Sequence, residues 1–253
     1  MAEKDIPAGV RDRLGIGGGV TLVQIPYSPF CISVRMALEA GRVPHTVHDI
    51  PIWDRRPVIE LTDAAYYTVP VLVDASRTPA MVIYEARDDG TDVARYADRT
   101  FGLGLFPDAL EGLQDLVVRY IEDEVEDVAF RLDDAFLIPG QTDPVARGMM
   151  VRHKERKFGK GCVDQWRAQL PQLLEKMVDV LDPLEQMLAR GRFLLGEQPT
   201  FADYALYGVL GCMTFTGDIH IPQEVTNILR WHKALPGLRL SDFSPSSLQG
   251  VHN

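Results

Sequence analysis

The first hundred residues alternate between short apolar runs and amphipathic segments. The run VTLVQI at 20–25 is β-branched and apolar, which predicts a strand. Pro26 and Pro29 then bracket a turn, and ISVRMALEAG has helical spacing that ends at Gly41. The segments that follow are predicted to be a strand at 46–50, an irregular or short helical crossover at 53–63, strands at 69–75 and 80–84, and a helix at 89–98. The predicted order is therefore β-α-β-α-β-β-α.

The pattern changes after Phe101, where FGLGLFPD contains Gly and Pro and strand signals become sparse. A stripe of apolar residues at helical spacing runs from Leu113 to Leu132, and a break follows at 139–144. Further helical stretches are predicted at about 145–157, 162–189, 200–215 and 222–234. The chain is thus divided into a flexible lead-in at 1–19, an α/β domain at 20–98, a linker at 99–107, a helical domain at 108–240 and a tail at 241–253.

The charge balance restricts the partners that we expect. The 253 residues include 36 acidic and 26 basic side chains, and the net charge of −10 would repel nucleic-acid phosphates. No apolar run approaches the roughly 20 residues of a membrane span, and the first residues contain no apolar signal segment. Cys31, Cys162 and Cys212 are too few and too widely spaced for a disulfide framework. We therefore expect a cytoplasmic protein that binds neither nucleic acid nor membrane.

Other patterns in the sequence predict no cofactor site. GIGGG at 15–19 precedes the first strand, whereas a dinucleotide-binding glycine motif follows a strand and opens a helix. His45 and His48 lie three apart on a predicted strand, so they point to opposite faces and no metal site is predicted. The basic segment at 152–161 lacks the spacing of a phosphate loop. It is interpreted as a solvated helix end, with an anion site as the alternative.

Ser28 and Cys31 lie at the turn between the first strand and the first helix. Ser28 precedes a helix that begins near Phe30, so its hydroxyl would face an anion, such as a thiolate, at the positive helix end. The alternative is that Ser28 only caps the helix. Cys31 lies in the first turn, where a thiol is acidified, but a small buried cysteine fits that position equally well. Both residues are candidates for sulfur chemistry.

Four local patterns resemble the glutathione transferase superfamily over roughly residues 20–240. They are YSPFCISVR at 27–35, TVPVLVD at 68–74, DGTDVARYAD at 89–98 and FLLGEQPTFADYALYG at 193–208. The resemblance implies an α/β thioredoxin-like N-terminal domain followed by an all-α helical-bundle domain, with glutathione as co-substrate and no metal. In the last pattern, Thr200 and Asp203 also have the spacing of a capping box, which predicts a folding element without chemistry.

The resemblance places glutathione against the turn and the third strand. Ser28 and Phe30 belong to the family's active-site turn, where Ser28 replaces the attacking cysteine of thiol oxidoreductases and so disfavours a dithiol mechanism. The family's Val69–Pro70 bond is cis, which would expose the Val69 backbone to the cysteinyl unit of the peptide.

The resemblance places the γ-glutamyl end of glutathione at the start of the next helix. Asp89 would meet its amino group, while backbone N–H groups at Gly90 and the Thr91 hydroxyl would hold its carboxylate. This alignment keeps the family's distance of seven residues to Tyr96, although the family's serine is missing. The competing alignment uses Glu85 after an insertion of four residues.

The second substrate is expected between the two domains, in a pocket that Tyr120, Glu124 and Phe130 would line. The resemblance implies a homodimer that activates glutathione as a thiolate for attack on an electrophilic, partly apolar small molecule. Two alternatives are glutathione-dependent thiol or disulfide exchange at Cys31 and a binding module without catalysis, since fold alone does not settle function.

Overall fold

The structure of the protein, a computed structural model, describes residues 1–86 and 90–243. Its strands are β1 (Ala2–Lys4), β2 (Val20–Gln24), β3 (His45–Asp49), β4 (Val71–Asp74) and β5 (Ala80–Tyr84). Its helices are α1 (Ala8–Leu14), α2 (Pro29–Ala40), α3 (Arg56–Leu61), α4 (Asp92–Phe101), α5 (Glu111–Tyr120), α6 (Glu126–Gly140), α7 (Pro144–Phe158), α8 (Cys162–Ala168), α9 (Leu170–Arg190), α10 (Phe201–Met213) and α11 (Thr226–Ala234). The predicted α/β domain followed by a helical domain is confirmed.

The strands form one mixed sheet in the order β1-β5-β4-β2-β3, in which only β2 and β3 are parallel. Both faces of the central strands are covered. Leu22 packs into a core with α2, α4 and α10, while the next residue, Val23, packs with residues of α1 and α3. This explains why all five residues of β2 are buried, including the polar Thr21 and Gln24.

Residues 1–19 do not form the flexible lead-in that the sequence predicts. β1 pairs antiparallel with β5, with Ala2 opposite Val82 and Lys4 opposite Ala80. α1 follows, and its residue Leu14 is 1% exposed in the core between the sheet and α3. The segment is ordered because its few apolar side chains are buried and its backbone completes the edge of the sheet.

The predicted helix at 113–132 is divided by a wider π-helical turn at Ile121–Val125, between α5 and α6. That turn holds more residues than an α-helical turn and therefore rotates the two halves relative to each other. As a result Leu113 and Leu116, which belong to the predicted apolar stripe, are 51% and 66% exposed. Gln114 and Val118 face the core instead.

The two domains meet where α10 packs against α2. A Cβ atom at Gly208 would lie 2.3 Å from the carbonyl oxygen of Pro29, so only glycine allows α10 to approach the first turn of α2 this closely. The capping box predicted at Thr200 and Asp203 is present at the start of α10. Within the described ranges, no helix is both long and apolar enough to cross a bilayer.

Candidate functional site

The turn after β2 places Ser28 directly before α2. β2 is buried along its whole length, and Pro29 becomes the first helical residue. Ser28 occupies the N-cap position with φ −66° and ψ 126°, yet its side chain makes no capping hydrogen bond. The interpretation of Ser28 as only a helix cap is therefore not supported, and its half-buried hydroxyl lies at the positive end of α2.

Cys31 lies in the first turn of α2 and is 0% exposed. It packs among apolar residues such as Val23 of β2 and Val58 of α3. Burial raises the pKa of the Cys31 thiol to about 11, and a hydrogen bond with Ser28 offsets only part of this rise. At neutral pH the side chain is a protonated, inaccessible thiol, which is a poor nucleophile.

The Val69–Pro70 peptide bond is cis, as the resemblance implies. β4 runs antiparallel to β2, with Val71 opposite Val23. Val69 and Pro70 precede β4 and therefore lie beside the residues that follow β2 and lead to Ser28. The structure thus brings two of the predicted glutathione-binding segments together at one edge of the sheet.

The start of α4 is capped by Glu85. Its carboxylate accepts hydrogen bonds from the backbone N–H groups of Asp92, at 2.6 Å, and Val93, at 3.2 Å. Glu85 thereby satisfies donors that a helix start leaves unpaired. Asp89, the residue of the favoured alignment, lies outside the described residues.

Gly90 and Phe30 line one very small cavity, of about 10 Å³, where α4 approaches the helical domain. Gly90 has φ 61°, in the left-handed region that favours glycine, and a Cβ atom there would lie 3.4 Å from the Glu122 carboxylate. Thr91 is buried, and its hydroxyl accepts a hydrogen bond from Nε of Arg95 at 3.1 Å. Phe30 and Gly90 are brought together, whereas the Thr91 hydroxyl is engaged within α4.

The structure does not bring Tyr120, Glu124 and Phe130 together in one pocket. The Tyr120 hydroxyl donates a hydrogen bond to the carbonyl of Val180 in α9, at 2.9 Å. Glu124 is exposed, and Phe130 is buried in an aromatic cluster with Trp166 of α8. The π-helical turn between Tyr120 and Phe130 explains why the three side chains lie in different places, because it changes the rotation about the helix axis that regular spacing would give.

A larger cavity, of about 230 Å³, opens between the crossover before α3 and helix α7, at the junction of the two domains. Arg55 and Tyr67 line it from the α/β domain, and His153 and Arg156 line it from α7. Nη1 of Arg55 is buried and has no hydrogen-bond partner within the part of the chain that the structure describes. Partial burial and the positive charges of Lys154 and Arg55 lower the pKa of His153.

Three carboxylates of α6 form an acidic cluster at the same junction: Asp133 and Asp134 are buried, and Glu126 is half-buried. Oδ2 of Asp134 lies 2.6 Å from Nζ of Lys154 in α7. Burial raises the pKa of Asp133 to about 8, with a contribution from the charge of Asp134, and raises that of Glu126 to about 7. Burial and then the charge of Asp134 also raise the pKa of Tyr27, so the charge of the cluster reaches the turn that holds Ser28.

The residues that line this cavity are hard to identify from the sequence, because most of them follow no clear pattern. Trp53 and Arg55 lie in a crossover with no clear periodicity, and Tyr27 is part of a turn. Met149, His153 and Arg156 have the i, i+4, i+7 spacing of one helix face, which is the pattern that would have separated the cavity-lining residues from the solvated ones. Among the described residues, no three His, Cys, Asp or Glu side chains are grouped as metal ligands.

Several solved structures share this fold. Glutathione transferase GSTFuA3 from Phanerochaete chrysosporium superposes with a TM-score of 0.71 at 16% identity, over 86% of this chain and 96% of that one. The glutathione S-transferase CsGST63524 of Ceriporiopsis subvermispora, in complex with glutathione, gives 0.69 at 18% identity, over 87% and 94%. Glutaredoxin 2 from Salmonella typhimurium, also in complex with glutathione, gives 0.66 at 19% identity, over 88% and 97%.

No curated protein matches the chain significantly in sequence. Two family models do match it. The model of the glutathione S-transferase N-terminal domain matches residues 22–102, which contain the Ser28 turn and the cis Val69–Pro70 bond. The model of the glutathione S-transferase C-terminal domain matches residues 164–234, which contain α9 and α10. The chain therefore belongs to the glutathione transferase superfamily.

Proposed function

We propose that the protein is a glutathione transferase-like enzyme that holds glutathione as a thiolate at the start of α2. The thiolate would attack an electrophilic, partly apolar small molecule. The observation that carries this proposal is Ser28, an N-cap residue beside the cis Val69–Pro70 bond whose side chain does not cap its own helix. Glutathione in the complexes of CsGST63524 and glutaredoxin 2 supports it as the thiol.

In the proposed mechanism, the Ser28 hydroxyl donates a hydrogen bond to the bound sulfur. This hydrogen bond and the positive end of α2 stabilise the thiolate and lower the pKa of the bound thiol. The thiol proton passes to solvent, and the sulfur forms a bond to the electrophilic carbon. The electron pair leaves with the leaving group or, in an addition, moves onto the acceptor.

The rival mechanism, thiol or disulfide exchange at Cys31, is disfavoured by burial. The Cys31 side chain has no exposed surface, and its pKa of about 11 keeps it protonated at neutral pH. Exchange would require its sulfur to reach a bound disulfide as a thiolate. We therefore propose that Cys31 is a packing residue under the active-site turn.

The test compares Ser28→Ala with Cys31→Ser in an assay of glutathione consumption by a panel of electrophiles. Ser28→Ala should raise the pKa of bound glutathione and lower kcat/KM by roughly tenfold to a thousandfold, which corresponds to about 1.4–4 kcal/mol. Cys31→Ser should change kcat/KM little. Loss of activity in Cys31→Ser with full activity in Ser28→Ala would replace the transferase mechanism by thiol exchange, and a glutathione titration without thiolate formation would favour a binding module.

For the γ-glutamyl end, we propose Asp89 rather than Glu85 as the partner of the amino group. Glu85 caps α4, so its carboxylate already has a structural role. Calorimetry should show that Asp89→Ala weakens glutathione binding by about 1–3 kcal/mol, while Glu85→Gln, which keeps a capping acceptor, weakens it less. The reverse ranking would move the site to Glu85.

We also propose that the protein is a cytoplasmic homodimer. The exposed Leu113 and Leu116 on α5 supply apolar surface that a second copy would cover. Cys31, Cys162 and Cys212 are unpaired, which fits a reducing compartment. Sedimentation should show a dimer that Leu116→Asp weakens, and a 28.3-kDa species alone at micromolar concentration would contradict the proposal.

A further inference from the structure

The cavity between the crossover and α7, here called the cationic cavity, has an unusual charge for this protein. Arg55, His153 and Arg156 line it, and no carboxylate does so among the described residues. The chain as a whole has a net charge of −10. Nη1 of Arg55 is buried behind the cavity wall without an acceptor in the described chain, so the guanidinium carries a poorly compensated charge that an anion in the cavity would offset. This arrangement indicates that an anionic group binds in the cavity.

The rest of the cationic cavity is apolar and exposed. Tyr67, Met149 and Trp53 are 68%, 50% and 37% exposed, although large apolar side chains are usually covered. Two aromatic rings and a flexible thioether offer flat, adaptable contact surface. The cavity therefore suits a ligand with a flat apolar body that carries one anionic group.

The cationic cavity also lies within electrostatic reach of the active-site turn. Burial raises the pKa values of Tyr27 and Cys31, the residues on either side of Ser28, and the charge of Arg55 opposes the rise at both. Arg55 is thus placed between the turn and α7. A ligand anchored at Arg55 would lie close to the proposed position of the sulfur.

We infer that the second substrate of this protein is an acidic electrophile, with a carboxylate on a flat unsaturated or aromatic body, bound in the cationic cavity. The inference rests on the proposed transferase function. Arg55 and Arg156 bind the carboxylate, since guanidinium groups match its geometry. The glycyl carboxylate of glutathione is the other carboxylate that these two arginines would bind, and the experiment distinguishes it from the carboxylate of the second substrate.

The experiment uses two matched probes, 4-chloro-3-nitrobenzoate and 4-chloro-3-nitrobenzamide. In both, the glutathione sulfur forms a bond to the carbon that carries chlorine, chloride leaves with the bonding electrons, and the thiol proton goes to solvent. Each enzymatic rate is divided by the uncatalysed rate. The wild-type protein should prefer the acid over the amide by about tenfold or more in kcat/KM.

Arg156→Gln is the test variant, because Arg156 is exposed and its loss should not disturb folding. It should lower kcat/KM for the acid by about tenfold and leave the value for the amide and the KM for glutathione unchanged. Arg147→Gln is the control, since Arg147 lies on the same helix but lines a different cavity. It should change none of these values.

Two results would overturn the inference while the transferase function stands. One is an equal kcat/KM for the acid and the amide. The other is a raised KM for glutathione in Arg156→Gln with both probes, which would show that Arg55 and Arg156 bind glutathione itself. If neither probe turns over, the proposed transferase function fails for chloronitrobenzene electrophiles. Binding of the two probes is then measured from Trp53 fluorescence, with Trp53→Phe as the blank. Tighter binding of the acid then supports the inference, and equal binding refutes it.

Discussion

Two regions of the helical domain bury carboxylates, and they differ in the donors that surround them. At the start of α10, Asp203 accepts hydrogen bonds from the backbone N–H groups of Leu194 and Thr200 and from the indole N–H of Trp231, at distances between 2.9 and 3.1 Å. In the acidic cluster, Oδ1 of Asp133 has no hydrogen-bond partner in the described ranges.

The pKa values reflect this difference. Burial raises the pKa of Asp203 to about 6 against the opposing effect of its hydrogen bonds, whereas burial and the charge of Asp134 raise the pKa of Asp133 to about 8. At pH 7 Asp203 is mostly a satisfied carboxylate, and Asp133 mostly keeps its proton. Burial alone therefore does not show whether a carboxylate stabilises the fold or lies near a candidate functional site. The number of hydrogen-bond donors around it does.

The largest effect is expected for Asp203→Ala. It leaves at least three buried donors unpaired, each at a cost of roughly 1–3 kcal/mol, so the free energy of unfolding should fall by about 3–5 kcal/mol. Urea unfolding measures this loss. Asp203→Asn keeps one acceptor oxygen and should cost less, and equal losses in the two variants would contradict the assignment of Asp203 to hydrogen bonding.

An intermediate effect is expected for Lys154→Met, which removes the cation beside Asp134. The free energy of unfolding should fall by about 1–3 kcal/mol at pH 8 and by less at pH 5, where Asp134 can take up a proton instead. Lys157→Met, an exposed change on the same helix, is the control. A loss that is the same at both pH values would mean that Lys154 acts through packing.

The last effect, expected for Asp133→Asn, depends on pH and has the opposite sign at high pH. Because the pKa of Asp133 is raised from 3.8 to about 8, the folded state holds a proton that the unfolded state releases. Stability contributed by this group is therefore present below pH 4 and lost as pH rises to 8. Asp133→Asn should flatten the fall and raise the stability at pH 8 in thermal unfolding, while the exposed Asp179→Asn should not.

The parts of the fold that could be predicted depend on local patterns. β2, α2 and β5 are found within a residue or two of their predicted bounds because apolar runs, prolines and Gly41 mark them in the sequence. β1 could not be predicted, because Ala2–Lys4 has no strand signal and pairs only because β5, almost 80 residues away, offers its backbone. Non-local pairing of this kind leaves no periodicity.

The candidate site shows the same division. Ser28 and Pro70 can be named from the sequence because they lie in short motifs, and their functional roles stay predictions. Tyr120, Glu124 and Phe130 do not form the predicted pocket because it depends on helix rotation: the π-helical turn at Ile121–Val125 moves Tyr120 towards α9. Arg156, which lines the cavity at the domain junction, lies in a segment that the sequence predicts as a solvated helix end. Regular periodicity cannot reveal a change in rotation within one helical run.

β1 also protects the protein against aggregation. It covers the outer edge of β5. Lys4 holds β1 in place by donating hydrogen bonds to the carbonyl of Glu60, at 2.8 Å, and to the carboxylate of Asp63, at 2.5 Å. A chain shortened to begin at Val20 would present the apolar run AMVIY as an uncovered edge, which is a template for another strand. Such a chain should form intermolecular sheets on storage while the turn at Ser28 is still intact.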